Sequence, residues 1–189
     1  IVYPTDTVYG LGGDAFSDDA ILRVYEAKGR PLGKPISVAV SDTEMLCAIA
    51  TVDDRALDLI ARFLPGPVTV VLESRSCIPS LLTGGTGRIG VRIPAHDLAL
   101  RILRGFDSPI TATSANISGT RELAEASEVM ATFAGKVDLI VDGGRTPGGS
   151  PSTLLDITAA EPRLLREGMI PAARIRSVLG TPPGGAGLT

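Results

Sequence analysis

Apolar and polar positions along the chain follow two different periods. Short apolar runs bounded by Gly, Pro, Ser or Asp predict strands at residues 1–3, 36–40, 68–72, 89–93, 110–112, 139–141 and 154–157. Helical periodicity predicts helices at residues 18–27, 54–63, 98–103, 122–133 and 172–179. Strands and helices alternate, and some connections are too short for a crossover helix. The pattern therefore predicts an α/β fold with a twisted mixed β-sheet flanked by helices.

The length of the chain sets the number of domains. With 189 residues, 44% of them hydrophobic, it can build one buried core but is too short for two ordinary domains. We expect a single domain over residues 1–179 and a disordered Pro/Gly-rich tail at residues 180–189. Residues 143–151, GGRTPGGSP, lie between two predicted strands. They predict a loop that could be mobile and cover a site.

Composition excludes several classes of protein. His96 is the sole histidine of the chain, which excludes a multi-histidine zinc site. Cys47 and Cys77 are isolated, as is typical of a reducing compartment. No apolar run approaches the roughly 20 residues needed to cross a bilayer. A net charge of −3 and a pI near 5.2 argue against a protein that coats nucleic acid. We therefore expect a soluble, cytoplasmic protein whose anion-binding sites are local.

The segment KGRPLGKP, residues 28–35, gathers positive charge around a Pro/Gly turn. Lys28 ends a predicted helix and Gly29 is its expected cap, so Lys28 could simply complement the helix dipole. Arg30 and Lys34 lie beyond the cap, where no helix dipole accounts for them. For this segment alone, an anion-binding loop and a solvated charged turn remain equally open.

Two more segments combine polar side chains with strand edges. TATSANISG, residues 111–119, places Ser114, Asn116 and Ser118 after an apolar run, where a ligand crevice and an ordinary capping turn are both open. RIGVRIP, residues 88–94, places Arg88 and Arg92 on the same face of a strand. Two like charges on one face repel unless an anion or an acid lies between them, although an exposed polar face is the simpler alternative.

The remaining polar candidates are single residues with ordinary alternatives. PTDTVYGLGGDA contains Thr5 and three glycines, but its spacing matches neither a P-loop nor a dinucleotide-binding loop. Ser152 opens a predicted strand, and Arg166 lies in what could be a last edge strand. Each of the last two could equally be a strand start or a surface residue.

Eight segments follow one another along the chain: PTDTVYGLGGDAF, KGRPLGKPISV, PGPVTVVL, IGVRIPAH, TSANISG, DGG, PSTLLDI and LLREGMI. In this order they resemble the YrdC-like domain of the threonylcarbamoyl-AMP synthase family. The resemblance runs from Ile1 to about Ile170, and eight segments in register are far more specific than any one of them. We expect the short, single-domain form of the family, because the chain has no room for the C-terminal domain of its long members.

The resemblance implies a single α/β domain with a positively charged concave face. It also implies the synthesis of threonylcarbamoyl-AMP and pyrophosphate from L-threonine, bicarbonate and ATP, with Mg²⁺ held through the phosphates rather than by protein ligands. A separate threonylcarbamoyl-transferase complex would then modify adenosine 37 of tRNA. One departure is Thr113, which stands where the family usually has a proline.

The same resemblance assigns roles to eight residues. The catalytic residues would be Lys28 and Arg30. The ATP-binding residues would be Lys28, Arg30, Ser114, Asn116 and Arg166. The threonine-binding residues would be Thr5, Arg92 and Ser152.

Two alternatives remain open from the sequence. A concave basic face could bind duplex RNA without chemistry, although the acidic pI disfavours this. The chain could also be a carbamoyl-adenylating relative, like the YrdC-like part of hydrogenase-maturation carbamoyltransferases. Those proteins are large and contain zinc-finger segments, for which this chain has too few cysteines.

Overall fold

The structure, a computed structural model, describes residues 1–179, so the predicted tail at residues 180–189 lies outside the described residues. Within them the chain forms nine strands: β1 (Val2–Tyr3), β2 (Gly10–Leu11), β3 (Val38–Ala39), β4 (Val68–Glu73), β5 (Arg88–Arg92), β6 (Ile110–Thr111), β7 (Thr113–Ser114), β8 (Thr153–Asp156) and β9 (Arg163–Arg166). It also forms seven helices: α1 (Asp18–Lys28), α2 (Thr43–Ile49), α3 (Asp54–Phe63), α4 (Ser80–Thr83), α5 (Asp97–Phe106), α6 (Ala126–Phe133) and α7 (Ala172–Leu179).

Six strands form the large sheet, in the order β6-β3-β5-β4-β8-β9. The pairs β3/β5 and β4/β8 are parallel and the other three are antiparallel. The predicted mixed sheet flanked by helices is therefore confirmed. A second, antiparallel sheet with the order β1-β2-β7 was not predicted, because two-residue strands are too short to carry an alternating pattern.

Alternation along the strands divides the large sheet into two faces. Val38, Val70, Val91 and Leu155 oppose one another across the strands and are fully buried in the main core. Each strand's adjacent residue points the other way, because successive side chains alternate between the faces of a sheet. On that second face lie residues that line a cavity: Ala39, Thr69, Arg92 and Leu154. The same strands thus build the core and one wall of the cavity.

The first predicted helix illustrates how local signals set its ends. Ser17 caps α1 by accepting a hydrogen bond from the Ala20 N–H, and Asp18 begins the first turn. Gly29 ends the helix with φ 59°, a left-handed conformation that favours glycine. These features keep Lys28 in the last turn, with its side chain buried against the cavity wall.

The predicted helix at residues 122–133 is wrong over its first four residues, since α6 begins at Ala126. The preceding backbone is committed elsewhere: the Leu123 carbonyl accepts from Tyr9 N (3.4 Å) and the Ala124 carbonyl accepts from Thr146 N (2.9 Å). The predicted strand at residues 139–141 is also wrong, because it pairs with β1 only through one bridge, Val2 to Ile140. Long-range pairing decided both outcomes.

The glycine-rich start of the chain serves packing. A Cβ atom on Gly10 would lie 3.0 Å from the Tyr3 ring, and one on Gly12 would lie 2.9 Å from it. Both glycines therefore make room for this buried ring. In residues 1–179, no helix has the length and apolar character required to span a membrane.

Candidate active site

A cavity of about 400 Å³ opens between the two sheets and the end of α1. It is lined by residues of both sheets, including Gly10 of β2 and Thr69 of β4. All eight residues that the sequence assigned to a site line this one cavity: Thr5, Lys28, Arg30, Arg92, Ser114, Asn116, Ser152 and Arg166. They come from six separate segments of the chain, so the tertiary fold brings them together.

Lys28 is joined directly to the SAN loop, residues 114–116. Its side chain is only 2% exposed. The Lys28 Nζ donates to the carbonyl and Oδ1 of Asn116, both at 3.0 Å, and to the Ser114 carbonyl. The Ser114 hydroxyl oxygen lies 3.4 Å from the same Nζ. All three N–H groups of the ammonium therefore have acceptors in the loop, which holds the loop in place and puts the charge in the cavity wall.

The SAN loop uses its own polar atoms to hold its shape. The Ser114 hydroxyl donates to Asn116 Oδ1 (2.7 Å), and the Asn116 amide donates to the carbonyls of Ile117 (3.1 Å) and Thr120 (2.7 Å). Direct binding of phosphate or nucleoside oxygens by Ser114 or Asn116 would require these bonds to be exchanged. Thr113, directly before this loop, pairs with Leu11 in the small sheet.

The rest of the KGRPLGKP segment forms one edge of the cavity. Arg30 donates to the Pro35 carbonyl (2.8 Å) and the Lys34 carbonyl (3.4 Å), which folds the guanidinium back over its own loop. The Tyr25 hydroxyl also donates to the Lys34 carbonyl (2.7 Å). Arg30 and Lys34 line the same cavity as Lys28. The three cations of this segment therefore face one cavity.

Arg92 lies at the centre of a buried polar network and is 8% exposed. Its guanidinium donates to Asp6 Oδ1 (2.5 Å), Thr7 Oγ1 (2.9 Å) and the Gly66 carbonyl (3.1 Å). The hydroxyl groups of Thr7 and Thr5 are 3.0 Å apart, and Thr5 also donates to the Val8 carbonyl (2.7 Å). These bonds use three of the five guanidinium N–H groups, and the other two have no hydrogen-bond partner within residues 1–179.

The two arginines of β5 have separate acidic partners. Arg88 forms ion pairs with Glu73 (3.1 Å) and Asp156 (3.4 Å) and does not line the cavity, whereas Arg92 pairs with Asp6. They lie on one face of the strand, as their spacing predicts. Each charge is balanced locally, so no shared anion is needed to hold them together.

The far wall of the cavity combines β4, β8 and β9. The Ser152 and Thr69 hydroxyl groups are 2.7 Å apart and form a hydrogen bond. Arg166, in the edge strand that the sequence suggested, donates to the Ser152 carbonyl (2.9 Å). Both predicted residues are therefore fixed to each other as well as exposed to the cavity.

The cavity is strongly cationic although the chain carries a net charge of −3. Lys28, Arg30, Lys34, Arg92 and Arg166 line it. Burial first, and then repulsion from Arg30, lower the pKa of Lys28 to about 8, while Glu122 opposes the shift. Such a desolvated cluster of positive charge is costly without a ligand and is suited to a polyanion.

Several polar residues in or next to the cavity were not assigned a role from the sequence. Thr7, which lines the cavity, and Asp6, which does not, accept hydrogen bonds from Arg92 and orient it. Thr69 forms a hydrogen bond with Ser152, and Glu122 contributes a carboxylate to the lining. Thr69 carried a usable signal, since it is a polar residue inside the otherwise apolar run VTVVL. No local signal pointed to Glu122, because this residue lies within the segment predicted as a helix.

The loop at residues 143–151 is tied to the body of the protein. Tyr9 donates its hydroxyl proton to the Gly144 carbonyl (2.7 Å), and Gly148 N donates to the Thr7 carbonyl (2.8 Å). Arg145 forms an ion pair with Glu125 (3.1 Å). Pro151 alone among these residues lines the cavity, so a covering role for the loop stays a prediction.

Comparison with known proteins identifies the family. The Sua5/YciO/YrdC family, described as telomere recombination, matches residues 1–168. The chain belongs to this family. A threonylcarbamoyl-AMP synthase from Pyrococcus abyssi is 41% identical over 181 residues, which cover 95% of this chain and 53% of that protein. The chain thus spans about half the length of that member of the Sua5/YciO/YrdC family.

Solved structures of the Sua5/YciO/YrdC family confirm the predicted fold. P. abyssi Sua5 complexed with L-threonine superposes with a TM-score of 0.90 at 42% identity, covering 95% of this chain and 53% of that one. E. coli YciO superposes with a TM-score of 0.82 at 30% identity, covering 89% of this chain and 82% of that one. The resemblance inferred from the eight sequence segments is therefore confirmed at the level of family and fold.

Proposed function

We propose that this chain is a nucleotidyltransferase that makes threonylcarbamoyl-AMP and pyrophosphate from L-threonine, bicarbonate and ATP. One observation carries the proposal: five cations from distant segments line one cavity together with the predicted hydroxyl-bearing residues Thr5, Ser114 and Ser152. Its relatives support the choice of substrates, since one is a threonylcarbamoyl-AMP synthase and one family structure is complexed with L-threonine.

The chemistry of this reaction suits a cavity without a covalent nucleophile. Threonine and bicarbonate would first give N-carboxy-threonine and water. A carboxylate oxygen of that intermediate would then attack the α-phosphorus of ATP, and the bond from this phosphorus to the bridging oxygen of pyrophosphate would break. Transfer of this kind requires alignment of the reactants and neutralisation of charge. Fixed cations in a partly desolvated cavity provide both.

The residues divide between the two substrates according to their position. Lys28, Arg30 and Arg166 would neutralise the phosphates, with Lys28 also holding Ser114 and Asn116 in place. We assign the threonine carboxylate to Arg92, because a guanidinium fork matches a carboxylate. Thr5 and Ser152, which lie on the same cavity, would contact the amino or hydroxyl group of threonine.

Magnesium is expected to enter with the nucleotide. No group of three or more His, Cys, Asp or Glu within residues 1–179 could hold a metal ion. The site therefore fits an ion that arrives on phosphate oxygens and keeps most of its water ligands. When bound, Mg²⁺ would neutralise charge on the phosphates and make pyrophosphate a better leaving group.

A single incubation tests the proposed function. The protein is mixed with ATP, Mg²⁺, threonine and radiolabelled bicarbonate, and the products are separated. We expect label in a product that also contains AMP and threonine, together with one pyrophosphate for each product molecule. Failure to form a labelled adenylate, from a protein that melts cooperatively, would contradict the proposal.

Later steps remain proposals of the same kind. We propose that the product passes to a threonylcarbamoyl-transferase complex that acts on tRNA, and that the protein works in the cytoplasm. RNA binding by the cationic cavity stays a prediction, as an alternative to catalysis. Steeply salt-dependent RNA affinity without ATP turnover would favour that alternative.

Substrate choice provides a prediction about side-chain size and polarity. Serine lacks only the methyl group of threonine, so we expect it to be used about 10-fold to 200-fold less efficiently. Valine lacks the hydroxyl and would leave a buried polar group unpaired, so its rejection should be stronger, about 10⁴-fold. Pyrophosphate release with each amino acid measures the ratios. Equal rates for all three would refute threonine recognition.

The low pKa of Lys28 predicts a pH dependence of nucleotide binding. The ammonium is charged below its pKa of about 8 and neutral above it, so affinity for a nonhydrolysable ATP analogue should fall as the pH rises through this value. If binding needs the charged form, the loss between pH 7 and pH 9 is about 10-fold. Arg30 and Glu122 are the charged groups that act on Lys28, and bound phosphates would raise its pKa.

The measurement uses calorimetric titration without threonine, so that the amino acid's own ionisation does not contribute. Lys28→Met is the matched control and should show no inflection near pH 8. The same inflection in that variant would assign the effect to another group.

A further inference from the structure

Glu122 is the single carboxylate among the described residues that line the cavity. The other charged residues there are the five cations already named. The Glu122 carboxylate has no hydrogen bond and no ion pair within residues 1–179, although Lys28 and Arg166 act on it electrostatically. Burial raises the pKa of Glu122, and these two cations oppose the shift. An acidic side chain thus faces the cavity without a fixed partner.

The position of Glu122 follows from the fold. Backbone bonds from Tyr9 to Leu123 and from Thr146 to Ala124 keep residues 123 and 124 outside α6. This non-helical segment follows the SAN loop. It places Glu122 in the lining of the same cavity that Lys28 lines. Had the predicted helix begun at Glu122, the backbone would not make these contacts.

A carboxylate beside bound phosphates is unfavourable on its own. Like charges repel, and the repulsion is stronger in a partly desolvated cavity than in water. The effect reverses when a divalent cation lies between the two groups. Mg²⁺ takes oxygen ligands and is commonly bound by one or two carboxylates together with substrate phosphates and water. One carboxylate in a nucleotide cavity matches that pattern.

We propose that Glu122 is the protein ligand of the Mg²⁺ that ATP carries into the cavity, in addition to the phosphate oxygens. This inference rests on the proposed function, because it requires ATP to bind in this cavity. A different role would be simple compensation of the charges of Lys28 and Arg166. The two roles predict different responses to magnesium, which makes them separable.

The test measures binding rather than turnover. A nonhydrolysable ATP analogue is titrated by calorimetry into the wild type, Glu122→Gln and Glu125→Gln, each with Mg²⁺ and with EDTA. Glu125 is the matched control: it lies on the same segment but pairs with Arg145 and does not line the cavity. Melting temperatures verify that the variants fold.

For the wild type and Glu125→Gln we expect the same increase of affinity on adding Mg²⁺. In Glu122→Gln that increase should shrink by about 10-fold or more, because one ligand of the ion is lost. Binding in EDTA should become tighter in Glu122→Gln, since a negative charge is removed. Paramagnetic resonance of Mn²⁺ should then detect less ion bound in the ternary mixture of this variant, and Glu122→Asp should recover part of it.

An unchanged effect of Mg²⁺ in Glu122→Gln would overturn the proposal. If Glu122→Gln bound the analogue more tightly than the wild type by the same factor with Mg²⁺ and with EDTA, this would also overturn the proposal. Glu122 would then be assigned to charge compensation. If the wild type failed to bind the analogue under either condition, the proposed function and this inference would both be wrong. Failure of the inference alone is recognised by intact wild-type binding.

Discussion

Replacing Lys28 by alanine is expected to lower the rate of threonylcarbamoyl-AMP formation by about 100-fold or more. The substitution removes a buried positive charge from the cavity wall. It also removes the donor that joins α1 to Ser114 and Asn116, so the SAN loop loses its brace. Lys28→Met should have a similar effect, because it keeps most of the side-chain volume but neither the charge nor the hydrogen bonds.

The rate is measured as pyrophosphate release at saturating threonine and ATP. Lys136→Ala is the control, since Lys136 does not line this cavity and its removal should leave the rate unchanged. Parental activity in a folded Lys28→Ala protein would show that KGRPLGKP is not the catalytic segment. Retained activity in Lys28→Met alone would show that the space filled by the side chain matters more than its charge.

Replacing Arg92 by leucine should affect both stability and threonine use. The substitution leaves Asp6, whose side chain is only 13% exposed, without its partner, and breaking a largely buried ion pair in this way costs about 3–5 kcal/mol of unfolding free energy. It also removes the group assigned to the threonine carboxylate, so kcat/KM for threonine should fall by about 100-fold or more. Urea unfolding measures the first effect and initial rates measure the second.

A double variant separates the two effects of Arg92. Asp6→Asn combined with Arg92→Leu removes both charges, and we expect most of the lost stability to return. Threonine use should stay impaired, because no guanidinium remains in the cavity. Recovery of activity together with stability would mean that Arg92 only holds the fold, and the carboxylate would then need another partner.

The local elements were largely predictable because their signals are local. Helix α3 has the predicted bounds, and α1 begins at the predicted Asp18 and ends at its predicted cap Gly29, since a capping side chain and a left-handed glycine act within one turn. Helix α2 was missed. It ends at Ile49 with Ala50, not a glycine, as its cap, and only two of its seven residues are buried, which leaves a weak apolar pattern.

The candidate site was predictable as a set of residues but not as an arrangement. The motif residues were recognisable from their order along the chain. Their hydrogen-bond partners were not: Asp6 and Arg92 are separated by 86 positions and Lys28 and Asn116 by 88. Pairing over such separations depends on how strands are ordered in the sheets, which no local pattern encodes.

The sequence by itself determined the family, the alternation of helices and strands, and the side chains able to bind anions. These follow from side-chain chemistry and from the periodicity of apolar positions, which are properties of short segments. The tertiary structure decided which of those charges share a cavity. It separated Arg88 from Arg92 by giving each its own acid, and it placed Glu122 among cations by holding the neighbouring backbone outside a helix. Charges act through space, so their roles depend on distances that arise only when the chain folds.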